Sequence, residues 1–405
     1  MRRTIIAAAT AALLVSAAAV CAQPRVLEDF SDAEAIEARR GFNVLRDADC
    51  VIADGSATFH NPAGAGATVV IPVDEALTAD NEAWDEFNGV SFMLRGDGSQ
   101  HWSRIGFGNR SHIYEVYFPL ENDEWHEVRV HFDELVGVGP IYPIGSFGAL
   151  PPSGIRTIQL GDRWHLTWNN APMPEHSFAI DDVKLIADAP EPPPAPSPRP
   201  LEEVLEKLRD REPVSIQCMG DSITAGTGLP DRDTQRYAVL LGEKLRERLG
   251  YDEIECYSRA VGGARSPHAR HWVPRDFHGV EPDLVTMAIG YNDKSGAYHP
   301  EYYAWAMNDY IDRVARITGG TAAVCPITTL PGGGHRFVMM DDYAQAVRDL
   351  AEQRGDVTAI DLAAQIKQMG RRGWMEHLGD LAHPNIEGHE WIAESLADWI
   401  VERMQ

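Results

Sequence analysis

Residues 214–224 read Val-Ser-Ile-Gln-Cys-Met-Gly-Asp-Ser-Ile-Thr, and this stretch decides how the second half of the chain is interpreted. The apolar run from Val214 to Met219 is typical of a buried strand, and a turn that contains Ser222 follows it directly. Further apolar segments, separated by amphipathic helical patterns, are Ile254 to Tyr257, Leu284 to Ile289, Ala322 to Ile327 and Val357 to Ile360. Strands that alternate with helices predict an α/β domain whose parallel sheet carries helices on both faces.

Four polar blocks follow in this half of the chain, and three of them stand directly after predicted strands. The blocks are Gly220-Asp-Ser-Ile-Thr224, Ser258-Arg-Ala-Val-Gly-Gly263, Gly290-Tyr-Asn-Asp293 and Asp380-Leu-Ala-His383. Ligands of open α/β sheets bind at the carboxyl ends of the strands. A serine hydroxyl needs a nearby base to attack an acyl carbon, and His383 can serve as that base for Ser222. Asp380 can reach the other imidazole nitrogen from a turn and fix its tautomer.

In this order the blocks resemble those of the SGNH (GDSL-like) hydrolases, over about residues 213 to 403. The resemblance implies a three-layer, flavodoxin-like α/β fold and a serine esterase activity. It also implies a catalytic triad of Ser222, Asp380 and His383. The Gly-x-Ser-x-Gly elbow of ordinary α/β hydrolases is absent, because Thr224 stands two residues after the serine.

The same resemblance implies an oxyanion hole made of the backbone N–H of Ser222, the backbone N–H of Gly263 and the side-chain amide of Asn292. The family often has Asn where this chain has Ser258, and Gly where it has Ala260. Gly262 is therefore an alternative to Gly263 as the backbone donor. Two further residues of these blocks, Asp221 and Asp293, are interpreted as hydrogen-bonding residues of the loops.

The N-terminal half has a different texture, with short alternating runs bounded by Gly, Asn, Asp and Pro that predict an all-β sandwich over residues 23–187. Segments such as Trp125-His-Glu-Val-Arg-Val-His-Phe132 and Phe178-Ala-Ile-Asp-Asp-Val-Lys-Leu185 resemble galactose-binding-like jelly rolls of carbohydrate-binding modules. Residues 188–200 are rich in proline and are predicted to form a linker before a hydrolase domain over 201–405. The order of the two domains is similar to that of family 2 carbohydrate esterases.

Residues 1–22 have the features of an export signal, with Arg2 and Arg3 before an apolar run and a small-residue site at Val20-Cys-Ala22. A lipoprotein anchored at Cys21 is an alternative. The remaining cysteines, Cys50, Cys218, Cys256 and Cys325, are far apart in the sequence and are predicted to be buried free thiols. We therefore expect a secreted or periplasmic protein.

The net charge of −25 disfavours nucleic acid and anionic membranes as partners. The combined features predict an enzyme that removes acyl groups, acetyl above all, from a polysaccharide or oligosaccharide. A lipase or arylesterase acting on small esters and a glycan-binding protein with an inactive hydrolase domain are the alternatives. No cofactor or catalytic metal is expected, although a structural calcium ion in the N-terminal domain is left open. Five tryptophans of the N-terminal half are candidates for stacking against sugar rings, and the alternative for each is a place in the core: Trp84, Trp102, Trp125, Trp164 and Trp168.

Overall fold

The computed structural model describes residues 22–45, 48–64, 66–74, 86–108, 113–135, 137–138, 155–162 and 166–405. The export signal, apart from Ala22, and the side chains of Trp84 and Trp164 lie outside these residues. The N-terminal half has a short helix, α1 (Ala33–Glu37), and antiparallel strands. The strands are β1 (Arg25–Glu28), β2 (Asn43–Leu45), β3 (Asp49–Ala53), β4 (Ser56–Asn61), β5 (Thr68–Pro72), β6 (Gly89–Arg95), β7 (Trp102–Gly108), β8 (Ile113–Pro119), β9 (His126–His131), β10 (Gly137–Val138), β11 (Thr157–Leu160) and β12 (His176–Ile186).

These strands form two sheets that pack face to face. One has the order β3-β4-β12-β6-β9 with β1 paired to β12, and the other has the order β10-β8-β7-β11-β5-β2. Inward-facing residues of both sheets share one core, in which the rings of Phe118 on β8 and Phe178 on β12 lie 5.2 Å apart. Alternating side chains bury one face of each sheet, so the predicted all-β sandwich is confirmed.

The C-terminal half contains a parallel sheet of order β14-β13-β15-β16. Its strands are β13 (Val214–Gly220), β14 (Ile254–Ala260), β15 (Leu284–Ala288) and β16 (Ala323–Pro326). The α-helices are α2 (Leu201–Arg209), α3 (Arg232–Gln235), α4 (Tyr237–Leu249), α5 (Ser266–Ala269), α6 (Val273–Asp276), α7 (Tyr291–Ser295), α8 (Pro300–Ile317), α9 (Asp341–Arg354), α10 (Leu362–Glu376) and α11 (Ile386–Arg403), with 3-10 turns at Arg270–Trp272 and Gly334–Phe337.

Successive residues of each parallel strand face opposite layers of helices. Ile216 and Cys218 of β13 pack into a core with α2, α4 and α11, whereas Met219 packs into a second core with α8 and α9. This period of two is what a strand buried on both faces requires. The predicted three-layer α/β fold is therefore confirmed.

The prediction of a fifth strand at residues 357–360 is wrong. Ile360 makes only an isolated bridge with Ile327. The N–H of Ile360 donates to the carbonyl of Pro326, and the carbonyl of Ile360 accepts from the N–H of Thr328. Asp361 follows immediately and caps α10 by accepting from the N–H of Ala364 at 3.1 Å. The chain therefore turns into a helix before a ladder can form.

The proline-rich segment 188–200 runs in an extended path along both halves. At its start, the side-chain amide of Asn88 exchanges two hydrogen bonds with the backbone of Ala189. At its end, the N–H of Arg199 donates to the carbonyl of Ala322 at 3.0 Å. The two halves are in direct contact, since Tyr117 and Met173 of the sandwich are buried in the same cluster as α8 and α9.

All four cysteines in the described part of the chain are free thiols, as predicted. Cys218 and Cys325 are buried, whereas Cys50 and Cys256 are only partly buried. The predicted full burial is therefore correct for two of the four.

Candidate active site

The turn after β13 presents Ser222 at the carboxyl end of the parallel sheet. The buried carboxylate of Asp221 accepts a hydrogen bond from the N–H of Ile223 at 2.9 Å, and the carbonyl of Ser222 accepts one from the N–H of Thr227 at the same distance. A β-carbon at Gly220 would lie 1.9 Å from Oγ1 of Thr224, so only glycine fits where the strand enters the turn. These contacts fix the backbone of the turn that carries Ser222.

The structure brings Ser222, His383 and Asp380 together. The Nε2 atom of His383 lies 2.9 Å from Oγ of Ser222, and Nδ1 lies 2.8 Å from Oδ2 of Asp380. The other carboxylate oxygen of Asp380 accepts from the backbone N–H groups of Ala382 and His383 at 2.6 and 2.7 Å. The carboxylate of Asp380 can only accept a hydrogen bond, so the proton of the neutral imidazole lies on Nδ1. Nε2 is then free to accept from the hydroxyl of Ser222.

The pKa of Asp380 is lowered to about 2. Partial burial alone would raise this pKa, but the hydrogen bonds from the His383 side chain and from the N–H groups of His383 and Ala382 outweigh burial. Asp380 keeps 59% of its side chain exposed, whereas His383 keeps 24%. The carboxylate is therefore ionised at neutral pH and stays in contact with solvent.

A second loop of the same domain supports the loop that carries Asp380 and His383. The carbonyl of Leu381 accepts from the N–H of Gly333 at 2.9 Å and from the hydroxyl of Tyr291 at 3.0 Å. Arg336 donates to the same hydroxyl at 3.0 Å. The glycine-rich segment 331–335 follows the fourth predicted strand, a position that fitted either a border of the pocket or a surface turn, and in the structure it borders the site. Arg336 was not predicted, because an isolated arginine gives no sequence signal.

The segments that carry the other two predicted oxyanion residues, Gly263 and Asn292, are hydrogen-bonded to the serine turn or to the strand end before it. Gly263 has a φ of +79°, a conformation that favours glycine, and the N–H of Val261 donates to the carbonyl of Gly220 at 3.1 Å. The side-chain amide of Asn292 donates to Oδ2 of Asp221 at 3.1 Å, which ties Asn292 to the serine turn. The structure therefore brings the segments with the predicted donors together around the serine turn.

The two aspartates interpreted as loop residues are both buried. Asp293 accepts from the N–H and the hydroxyl of Ser266, at 3.1 and 2.6 Å. Burial raises the pKa of Asp221 to about 7 and that of Asp293 to about 6. Asp221 holds the serine turn through its contact with Ile223. Asp293, on α7, holds that helix next to Ser266, which follows the loop after β14.

The three tryptophans with described positions differ in their surroundings. Trp102 packs edge-on against His278 of the C-terminal half, with the ring centroids 5.4 Å apart, and Trp168 lies under the guanidinium of Arg259, which is 3.8 Å from its ring centroid. Trp125 is 38% exposed, just before β9, with Arg95 over its ring. Of the three, Trp125 keeps a solvent-facing ring, although its alternating segment suggested a place in the core.

Within the described ranges, no group of three or more His, Cys, Asp or Glu side chains could hold a metal ion. In the same part of the chain, no helix has the length and apolar character needed to cross a membrane.

The C-terminal half is an α/β domain with a parallel sheet, helices on both faces of that sheet, and a candidate triad of Ser222, His383 and Asp380. Residues 218–391 match the model of the GDSL-like Lipase/Acylhydrolase family. The predicted GDSL-like identity of this domain is therefore confirmed.

Solved structures with detectable likeness include three carbohydrate esterases. An acetyl xylan esterase is 19% identical, with a TM-score of 0.39, over 45% of this chain and 98% of its own. A two-domain esterase active on acetylated mannans is 20% identical, with a TM-score of 0.40, over 51% of this chain and 54% of its own. A family two carbohydrate esterase from Cellvibrio japonicus is 14% identical, with a TM-score of 0.35, over 91% of this chain and 97% of its own. No curated protein matches the chain.

Proposed function

We propose that the protein is a serine esterase that transfers an acyl group from its substrate to Ser222 and then to water. The observation that carries this proposal is the continuous arrangement in which Oγ of Ser222 lies 2.9 Å from Nε2 of His383 and Nδ1 lies 2.8 Å from Asp380. Both distances are within hydrogen-bond reach, so His383 can take the proton of Ser222 while Asp380 holds the imidazole and stabilises its charged form.

In the acylation step, Oγ of Ser222 forms a bond to the acyl carbon while its proton passes to Nε2 of His383. Asp380, ionised because its pKa is lowered to about 2, stabilises the imidazolium that results. The tetrahedral intermediate collapses as His383 gives the proton to the leaving alkoxide, which departs as an alcohol. Water, activated by the same histidine, then releases the carboxylic acid and restores Ser222.

The negative charge of the tetrahedral intermediate needs preorganised donors, and we assign these to the N–H groups of Ser222 and Gly263 and to the side-chain amide of Asn292. A side-chain amide carries two N–H groups. The one that contacts Asp221 holds Asn292 in place, so the second can serve the oxyanion.

We further propose that the substrates are acyl esters, acetyl esters above all, of neutral polysaccharides or oligosaccharides. Three features support this: a β-sandwich in direct contact with the hydrolase domain, the exposed ring of Trp125, and a net charge of −25 that disfavours anionic substrates.

A second candidate is an esterase for small apolar acyl esters. Leu381, between Asp380 and His383, is 42% exposed, and Met375 is 38% exposed. Both side chains approach Gly333 of the neighbouring loop, so they form an apolar edge beside the triad. Such an edge could contact an acyl chain longer than acetyl.

The experiment uses the purified full chain and its Ser222→Ala variant. Labelling with a fluorophosphonate, followed by peptide mass spectrometry, should identify Ser222 in the wild type and give no adduct in the variant. Acetate release from acetylated xylan, mannan and glucan is compared with hydrolysis of p-nitrophenyl esters from acetate to octanoate.

Acetate release from a glycan supports the carbohydrate proposal, whereas a preference for long acyl chains supports the second candidate. A label on another residue would contradict the assignment of the nucleophile. Glycan binding without hydrolysis of any ester would identify a binding protein with an inactive domain and overturn the esterase proposal.

Two subsidiary proposals concern export and cofactors. We propose that the chain is exported and cleaved after Ala22, so the mature protein should begin at Gln23. The reaction is proposed to need no metal, so chelation by EDTA should leave activity unchanged. Lower thermal stability with unchanged turnover after chelation would instead indicate a structural cation.

A further inference from the structure

A loop of the β-sandwich, residues 166–173 between β11 and β12, reaches across to the hydrolase domain. Its Trp168 donates from Nε1 to the buried carboxylate of Asp276 at 2.7 Å, and the guanidinium of Arg259 covers the same ring. The next two residues, Asn169 and Asn170, have φ values of +55° and +56°. Asparagine tolerates this left-handed conformation better than most residues, but it is still uncommon, so contacts with the other domain must hold the loop in place.

Asn169 is bound to the end of β14, where the proposed oxyanion loop begins. Its N–H donates to the carbonyl of Ala260 at 2.7 Å, and its Nδ2 donates to the carbonyl of Ser258 at 3.1 Å. Its Oδ1 accepts from the hydroxyl of Ser258 at 2.6 Å. Three hydrogen bonds therefore connect one residue of the sandwich with two residues of the segment 258–263, and the serine at position 258 supplies one of the donors.

Asn170 lies between the serine turn and the two glycines. Its Nδ2 atom lies 2.9 Å from Oγ1 of Thr227, and the N–H of Thr227 donates to the carbonyl of Ser222. A β-carbon at Gly262 would lie 2.6 Å from Oδ1 of Asn170, so the glycine lets the asparagine amide approach the chain this closely. Asn170 thus contacts both chain segments whose relative position sets the distance from Ser222 to Gly263.

We propose that Asn169 and Asn170 of the β-sandwich are positioning residues that hold the oxyanion loop, residues 258–263, against the serine turn. The inference rests on the proposed esterase function and deepens it, because it makes the sandwich a part of the catalytic apparatus. A Gly-Gly segment is conformationally free, and oxyanion donors must be held within about 0.5 Å of their productive positions. The donor geometry around Ser222 therefore depends on a loop from the other domain.

The test uses the full chain with Asn169→Gly and Asn170→Gly, since glycine removes the side chain but keeps the left-handed backbone without strain. Two controls remove other contacts of the sandwich. Asn88→Gly loses two hydrogen bonds to the linker residue Ala189, and Glu134→Gln weakens the interdomain ion pair with Arg313. None of the hydrogen bonds or ion pairs removed in the two controls involves the serine turn or the oxyanion loop.

We expect each asparagine variant to lower kcat on p-nitrophenyl acetate by roughly 10- to 100-fold, with KM within about twofold, because donor alignment acts on the transition state. Inhibition by a boronic acid that forms a tetrahedral serine adduct should weaken by a similar factor. Thermal unfolding of each variant is measured alongside. Asn170 has an exposed side chain, so Asn170→Gly remains informative if Asn169→Gly fails to fold.

A kcat in Asn170→Gly equal to that of Asn88→Gly and Glu134→Gln, in an active enzyme, would overturn this inference and leave the esterase proposal intact. An increase in KM alone would also overturn it, since that result indicates ground-state binding. Absence of ester hydrolysis in the wild type would contradict the proposed function itself and this inference with it.

Discussion

The two sides of Ser222 are built in different ways. On one side, Asp380 and His383 are three residues apart, and their loop is supported by Gly333 and Tyr291 of the same domain. On the other side, the proposed oxyanion donors come from separate segments, and a loop of the β-sandwich binds one of those segments. The histidine and the aspartate thus come from one short segment and are supported within one domain, whereas the proposed oxyanion side draws on separate segments and on contacts with the other domain.

The largest effect is expected on the triad side. His383→Ala removes the group that we propose as the acceptor of the Ser222 proton, so kcat on a short acyl ester should fall by roughly 10⁴- to 10⁶-fold. Initial-rate kinetics of wild type and variant measure this loss. Surface His335→Ala serves as a control, because it removes an exposed imidazole from the neighbouring loop. Near-normal turnover by His383→Ala would show that another group is the base.

Asp380→Asn should have a smaller effect than loss of the histidine. The amide cannot stabilise the imidazolium, and the same change in a buried triad lowers kcat by roughly 10⁴-fold. Asp380 is 59% exposed, so water can replace part of its interaction, and we expect a loss of roughly 10²- to 10⁴-fold. The kcat of the variant should be measured from pH 5 to 9. A loss as large as that of His383→Ala would mean that solvent does not compensate.

Asn292→Ala tests the oxyanion side. Removal of one oxyanion donor costs roughly 10²- to 10³-fold in kcat, and KM should change little. Asn308→Ala, on the outer helix α8, is the matched control because it removes an amide that contacts Asp312 and Arg354 away from Ser222. Unchanged kcat in Asn292→Ala would remove this residue from the oxyanion hole and leave the backbone N–H groups as the donors.

The same difference between local and distant contacts explains what the sequence could predict. The strands of the two domains follow from periodicity, and the pairing of Asp380 with His383 follows from their spacing. The placement of Ser222 beside them follows mainly from the resemblance to the GDSL-like hydrolases. The supposed fifth strand had a strand-like composition, but the cap at Asp361 starts a helix there. The roles of Arg336 and Asn170 could not be predicted, because no local pattern specifies which distant residues fold against them.

The last prediction concerns stability and not turnover, and its subject is Asp221, which connects the serine turn with Asn292. Its carboxylate accepts from Ile223 in the serine turn and from Asn292, and burial raises its pKa to about 7. In the unfolded chain the pKa of Asp221 is near 3.8. Below this pH the folded and the unfolded protein both hold the proton, so the raised pKa does not change the free energy of unfolding there. As the pH rises from about 4 to 7, the unfolded chain releases the proton while the folded protein keeps it. Asp221 should therefore lower the free energy of unfolding across this window, by at most about 1.4 kcal/mol per pH unit.

Asp221→Asn removes this titration and retains an oxygen that can accept from Ile223. Urea unfolding of wild type and variant at pH 4, 5.5, 7 and 8 gives the difference in unfolding free energy, in which other titrating groups cancel. We expect the difference to shift in favour of the variant up to about pH 7 and then to stay constant. Asp349→Asn, at an exposed position, is measured in parallel as a control. The contribution of Asp380 to the free energy of unfolding has the opposite sign. Its lowered pKa stabilises the folded state above about pH 4, and this contribution is lost as the pH falls toward 2. A difference for Asp221→Asn that is independent of pH would show that this carboxylate is ionised in the folded protein throughout the range, with its charge stabilised by the hydrogen bonds from Ile223 and Asn292.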